Sequence, residues 1–247
     1  MTSSRRLAAL LVALVLLASC AARRPDAAEH DPWEGLNRKM FVFNDKLDVY
    51  ALEPAATGWS KVTPLRLRTS ISNFFQNLRV PINGVNGLLQ GKPVNAASDL
   101  GRFTVNTTIG LAGFLDPATS FGLVRHDEDF GQTLGVWGVP GGPYLVLPLF
   151  GPSSPRDAAG LAVDALLSPE FYFAPWYVSY PVTGTRVINA RSLALETVRD
   201  ERAAAFDFYA AVRIAYVQYR ANQLRDRAAE PEEHDENEDL YNLEEEE

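Results

Sequence analysis

The chain has 247 residues, 47% of them hydrophobic, with a formal charge of -8 and a single cysteine. That length holds one sizeable domain, and one cysteine excludes an internal disulfide. The segment from Asp226 onward carries 12 acids and one arginine, leaving a near-neutral remainder of 22 basic and 19 acidic groups, which excludes the broad basic surface of a nucleic-acid binder.

Residues 1–19 read as a signal peptide: Arg5 and Arg6 form a positive start, Leu7 to Leu17 an apolar stretch too short to span a bilayer, and small residues follow. Leu17-Ala18-Ser19-Cys20 resembles a bacterial lipoprotein box with Cys20 as the lipidated residue. The only cysteine lies where such a box needs it, which favours this reading over a plain signal peptide. Ala21 in place of an aspartate resembles sorting to the outer membrane. Several acyl chains, at about 0.8 kcal/mol per buried methylene, oppose release from a membrane. Residues 20–30 then form an acylated tether, 31–228 one helical domain, and 229–247 an acidic tail whose like charges keep it from folding alone.

Asp31-Pro32-Trp33-Glu34 predicts a helix start, with Asp31 as N-cap, Pro32 in the first position and Glu34 completing a capping box. This helix is expected to reach about Tyr50, with Glu53-Pro54 closing the segment. Asn37 and Asn44 fall beside Trp33 and Phe41 at helical spacing, and buried carboxamides need partners, so they are expected to tie helices together. A second helix starts near Pro64 with the apolar stripe Leu67, Ile71, Phe74, Phe75 and Leu78. It ends or kinks at Pro81, and a short helix over Ile82 to Leu89 precedes a turn at Gly91. The next helix, capped around Asn95 or Ser98, carries Leu100, Phe103, Val105 and Ile109. Arg102, Asn106, Thr107 and Thr108 give it a polar face unusual for a buried helix, and Gly110 and Gly113 end it. From Leu115 through the charged run Arg125 to Asp129 the pattern is loop-like.

Phe130 to Pro152, FGQTLGVWGVPGGPYLVLPLFGP, is apolar and almost uncharged, yet Gly131, Gly135, Gly138, Gly141, Gly142 and several prolines break it too often for one regular element. One or two helical turns over Gly131 to Val139 and a short extended piece over Tyr144 to Leu147 are expected. Its cover is either the protein's own helices or lipid. Ser154-Pro155-Arg156-Asp157 supplies a cap, a first-position proline and a first-turn acid for a helix reaching about Leu167. The aromatics of Phe171 to Tyr180 suit a membrane interface or a loop packed on the core. Arg186 to Arg225 reads as two helices broken near Asp200, or as one strap.

No constellation carries catalysis, a metal or a cofactor. His30, His126 and His234 are far apart and have no cysteine partners. His126 with Asp127 and Asp129 is the nearest approach to a ligand cluster and reads as polar surface. Gly151-Pro152-Ser153-Ser154-Pro155 lacks the context of a nucleophile elbow, and no lysine follows Gly138, Gly141 and Gly142 as a phosphate loop requires. An enzyme, such as a lipid hydrolase, is therefore the minority reading.

Several blocks occur in order behind the lipobox. They are Asp31-Pro32-Trp33-Glu34 with Asn37-Arg38 and Phe43-Asn44, Asn73-Phe74 with Asn77-Leu78, and Arg102-Phe103 with Asn106-Thr107-Thr108, Gly110, Gly113 and Asp116. Glu128-Asp129-Phe130-Gly131-Gln132-Thr133-Leu134-Gly135 with Trp137-Gly138 follows, then Gly142-Pro143-Tyr144 to Pro148 and Gly151-Pro152-Ser153-Ser154 with Arg156-Asp157. Together these resemble the MlaA (VacJ) family of outer-membrane lipoproteins over about residues 31–180. The resemblance implies a mostly α, ring-like single helical domain with an irregular Gly/Pro-rich apolar ridge and a central amphipathic channel. It also implies removal of phospholipid from the outer leaflet, delivery to a periplasmic MlaC-like carrier, and association with a trimeric porin. The lipid path or ridge is expected to use Asn106, Thr107 and Thr108 for polarity, Gly131, Gly135, Gly138, Gly141 and Gly142 for shape, and Trp137, Tyr144, Leu145, Val146 and Leu147 as a membrane-facing wall. The competing expectation is a structural, porin-associated lipoprotein that moves no lipid.

Overall fold

The computed structural model describes residues 31–168 and 175–225. The signal peptide, Cys20, the tether up to His30, Phe171 to Phe173 and the acidic tail lie outside the described residues. Within them the fold is mostly α, as expected: α1 (Glu34–Leu47), a π-helical turn (Asp48–Leu52), α2 (Glu53–Val62), α3 (Leu65–Leu89), α4 (Pro93–Thr108), α5 (Pro117–Ser120) and α6 (Phe130–Val136) come first. A two-stranded antiparallel ribbon of β1 (Leu145–Leu147) and β2 (Gly151–Ser153) follows, then α7 (Pro155–Leu167), α8 (Trp176–Leu193), α9 (Leu195–Ala204) and α10 (Phe208–Arg225). Helix α3 packs along α4, α6 against α7, α8 across α2 and α3, and α10 against α6 and β2.

The start of α1 departs from expectation at Glu34. Trp33 occupies the cap position without a side-chain bond, and Glu34 pairs with Arg38 at 2.7 Å. Asp31 accepts from Trp33 N at 3.2 Å, the bond expected of a cap before Pro32, and also from the Asn37 amide at 2.9 Å and the Tyr209 hydroxyl. Glu53-Pro54 does not end the helix either. Glu53 N–H donates to Asp48 O in the π turn, so Pro54, which has no N–H, falls where the α ladder is already interrupted. Three arginines close over this turn: Arg191 on Asp48 at 2.7 Å, Arg199 on Glu53 at 2.7 Å and Arg202 on Asp45 at 2.8 Å.

Helix α3 runs unbroken through Pro81, which is exposed, while Asn77, Asn83 and Asn86 are held inside on either side of it. Helix α4 starts at Pro93, earlier than either cap foreseen. The C-terminal region is neither one strap nor two helices. It forms α8, α9 and α10, with breaks at Ala194 and at residues 205–207.

The interior is polar. Among the described residues, 17 buried side chains are polar or charged and 10 are apolar. Buried Asn189 accepts from Trp59 Nε1 at 3.1 Å and donates to Arg68 O at 2.9 Å, and Asn86 joins Asp164 at 3.1 Å to Thr133 at 2.9 Å. Paired this way, such groups escape the cost of an unmet buried polar atom. The apolar stripes divide: Phe75 is buried, Ile71, Phe74, Leu78, Phe103 and Val105 are half-buried, and Leu67, Leu100 and Ile109 are exposed, as are Leu65, Leu88, Val94 and Leu111 outside the stripes, while Asp99, Arg102 and Asn106 of α4 are buried.

Candidate lipid site

The apolar stretch is built as α6, a glycine-rich turn and the β1–β2 ribbon. Asp129 caps α6 by accepting from Gln132 N at 2.8 Å, and Gly138, with φ of 90°, terminates it in a conformation that favours glycine. Two asparagines of α1 then hold the ribbon. Asn37 donates to Tyr144 O at 3.0 Å and accepts from Val146 N at 2.9 Å, and Asn44 donates to Leu147 O at 2.9 Å and accepts from Leu149 N at 2.8 Å. These carboxamides substitute for a neighbouring strand. They tie a helix to the ribbon, which corrects the expectation that they join helices.

Strand alternation decides which apolar residues face out. Tyr144 and Val146 are 3% and 2% exposed and form a cluster with Tyr209, flanked by Met40, Phe41 and Tyr216. Their assignment to a membrane-facing wall is therefore corrected: both belong to the interior. Leu145 and Leu147 are half-buried on the other face. The residues presented most openly are Trp137, Leu149 and Phe150, at 55%, 68% and 69% exposure. Trp137 is fixed by donating Nε1 to Leu89 O at 3.1 Å, and Leu149 adopts φ of 68° at the tip of the ribbon. Leu149 and Phe150 did not stand out in the sequence, because nothing local distinguishes them from the apolar residues beside them.

Beneath the ribbon lies a charge cluster. Arg220 of α10 reaches Asp129 at 2.6 Å and Asp157 at 2.7 Å, Arg156 adds a bond to Asp157 at 2.9 Å, and the Tyr216 hydroxyl donates to Asp157. Burial raises both carboxyl pKa values, but the Arg220 hydrogen bonds and charge outweigh it and leave Asp129 and Asp157 below the usual range. Burial acts unopposed enough to raise Asp99 and Asp164. The signs therefore differ. The stability contributed by Asp129 and Asp157 is complete above an ordinary carboxylate pKa of about 4 and is lost as pH falls through their lower folded values. Asp99 and Asp164 favour the folded state when protonated, and this contribution is lost as pH rises through their higher values. The melting temperature is expected to gain a little from Asp99 and Asp164 as pH falls through their raised values, then to fall steeply below about 4, as followed by circular dichroism.

Gly131 and Gly135 are required by this cluster. A Cβ on Gly131 would stand 2.8 Å from Arg220 and from Asp157, and one on Gly135 would stand 2.8 Å from Arg156. Both therefore allow close packing beneath the ridge and do not form its outer surface. Gly141 and Gly142 lie against Ser154 and Pro155 at the start of α7. Gly160, absent from the sequence-derived set, makes the closest approach: its Cβ would be 2.3 Å from Gly131 N. A lone glycine inside an apolar helix was the available signal. Gly160→Ala is expected to cost about 2–3 kcal/mol by forcing α6 from α7. Gly84→Ala, in a helix and with nothing within 4 Å, should be neutral or stabilising in the same melts.

The polar residues foreseen on α4 separate. Asn106 is buried, donates to Asp116 at 2.9 Å and accepts from Ala118 N at 3.1 Å, while Arg102 binds both Asp116 oxygens at 2.9 and 2.8 Å. Thr107 accepts from Asn77 at 2.9 Å, and Thr108 donates to Thr104 O at 2.7 Å within its own helix. Next to this network the chain turns through Leu111 and Ala112, with φ of 54° and 60°, at a cost of about 1–2 kcal/mol each. Leu111 and Leu115 project outward there, and Phe114 stacks on Phe74 at 4.8 Å.

His126, Asp127 and Asp129 do not converge. The His126 ring faces Asp99 at 3.2 Å, Asp127 pairs with Arg125 on the surface, and Asp129 belongs to the Arg220 cluster. Among the described residues no group of three His, Cys, Asp or Glu is placed to hold a metal, and no helix is long and apolar enough to cross a membrane.

Residues 29–223 match the model of a family described as MlaA lipoprotein. The chain is 36% identical over 218 residues to the intermembrane phospholipid transport system lipoprotein MlaA of Haemophilus influenzae, covering 84% of this chain and 86% of that protein. It is 37% identical to the protein of the same name from Escherichia coli, covering 86% of each. A solved structure from work on how bacterial outer-membrane lipid asymmetry is maintained superposes with a TM-score of 0.70 and 36% identity. It covers 79% of this chain and all of the solved one.

Proposed function

Because the chain belongs to the MlaA lipoprotein family, we propose that it takes misplaced phospholipid from the outer leaflet of the outer membrane and passes it to a periplasmic MlaC-like carrier, beside a trimeric porin. It is an outer-membrane lipoprotein of phospholipid transport that maintains lipid asymmetry, not an enzyme. The finer reading places the described domain within the periplasm-facing leaflet. The observation that carries it is the inverted polarity: an interior of paired asparagines, arginines and acids beneath exposed leucines, valines and aromatics. In water that arrangement would leave too much apolar surface uncovered, whereas acyl chains cover it without cost. A phospholipid needs an apolar wall for its tails and polar groups for its head, and this domain offers the first outside and the second inside.

The test is loss of the gene. Outer-leaflet phospholipid should accumulate, measured by its accessibility to an added phospholipase, and the wild-type chain should reverse this. Unchanged asymmetry would instead identify a structural, porin-associated lipoprotein.

A further inference from the structure

We propose a headgroup site between α3, α4 and the Leu111–Arg125 segment that prefers a phosphodiester ending in an N–H or O–H donor over one ending in trimethylammonium. The inference rests on the phospholipid-transport reading and adds where the head binds and which heads fit. Asn73, Gln76, Asn77, Arg102, Asp116 and Arg125 line a concavity that opens to solvent and has the room of a single water, about 20 Å³.

The wall is charged and amide-rich, and its two cations differ. The Arg102 side chain is 5% exposed and is neutralised by Asp116, so it fixes the wall. Arg125 stands at the mouth, 37% exposed, with Nη1 donating to Gln76 Oε1 and Nη2 reaching Asp127 at 2.8 Å. Asp127 is 58% exposed, so an incoming phosphate displaces a bond of little worth. A phosphate on Arg125 gains charge-assisted hydrogen bonds from a guanidinium that Gln76 already orients.

The other end of the ligand is set by Asn77. This residue is 4% exposed, its amide N–H groups go to Thr107 and Ala112 O, and its Oδ1 accepts nothing from the described residues. A buried acceptor without a donor favours a ligand that supplies one. An ethanolamine ammonium or a glycerol hydroxyl has the hydrogen and is close to the size of a water. A choline group has no hydrogen to give and is larger. The acyl chains have their own surface next to the site, since Gly113 packs on Asn77 and the same turn exposes Leu111 and Leu115.

Full-length acylated protein is equilibrated in mixed micelles holding equal phosphatidylethanolamine, phosphatidylglycerol and phosphatidylcholine, and the lipid retained after gel filtration is quantified by mass spectrometry. The first two lipids are expected to exceed the third by about tenfold, the effect of one charge-assisted or buried hydrogen bond. Separate single-lipid arms show whether ammonium or hydroxyl is preferred. Arg125→Glu and Asp127→Asn both break the same exposed ion pair, so a structural role moves them together. A headgroup site moves them apart, with retention falling about tenfold in the first and rising in the second. Equal retention of phosphatidylcholine, or both variants shifting the same way, overturns the site while the transport reading stands. No phospholipid retained by the wild-type chain overturns both.

Discussion

Arg220→Leu is expected to destabilise the protein by about 3–5 kcal/mol, the range for breaking a buried ion pair on one side. The cause is what it leaves behind: Asp129 and Asp157, each held by Arg220 below the usual carboxylate range, become neighbouring buried carboxylates with only Arg156 to offset them. These two acids come from α6 and α7, and Arg220 from α10, so one guanidinium fastens the C-terminal helix across the packed pair that carries the ribbon. Melting of the detergent-solubilised protein should fall by roughly 10 °C. Adding Asp129→Asn and Asp157→Asn to Arg220→Leu should recover part of that loss, because the penalty comes mainly from uncompensated charge and not from lost attraction. A shift below about 2 °C for Arg220→Leu alone would show that the cluster does not hold α10.

The parts of this fold that were legible in the sequence are those whose chemistry is local. Ser154-Pro155-Arg156-Asp157 starts α7 where its side chains dictate, with Ser154 Oγ accepting from Asp157 N at 3.2 Å. Phe130 to Val136 forms the short helix, and Leu145 to Leu147 the extended piece, that the glycine spacing allows. The long-range pairings are not local and leave no such mark. Asn37 and Asn44 announce themselves as buried carboxamides, but their partners are backbone groups at Tyr144, Val146, Leu147 and Leu149, which no periodicity in α1 can indicate. The outward and inward faces of β1 were equally hidden. All four residues from Tyr144 to Leu147 are apolar, so alternation shows that faces exist without showing which one is buried.

Apolar stripes on α3 and α4 point to a core only when the surrounding solvent is water. Leu67 and Leu100 lie outside although Phe75 of the same α3 stripe is buried, while tertiary hydrogen bonds hold Asn77, Asp99 and Arg102 inside. Arg102 and Asn106 were the visible sign of that polar interior, whereas Thr107 and Thr108 beside them are exposed.

Membrane retention without the acyl anchor should therefore depend on the ribbon tip. With Cys20 replaced by serine and a signal peptide that directs export without lipidation, the chain is expected to stay largely with the membrane fraction. Its exposed leucines, valines and aromatics still partition into lipid. Adding Leu149→Asp and Phe150→Asp should release it. Each replacement gives up the transfer of a large apolar side chain and sets a carboxylate against hydrocarbon, about 2–3 kcal/mol or more per site, so the pair lowers partitioning by about a thousandfold or more. Stability should change little, because both side chains are more than two-thirds exposed and the bond from Leu149 N to Asn44 Oδ1 is made by backbone. Flotation of membranes on a density gradient, with melting as the control, separates the outcomes. Aspartate variants that fold and still float with the membrane would place the tip in water and leave attachment to the lipid on Cys20 alone.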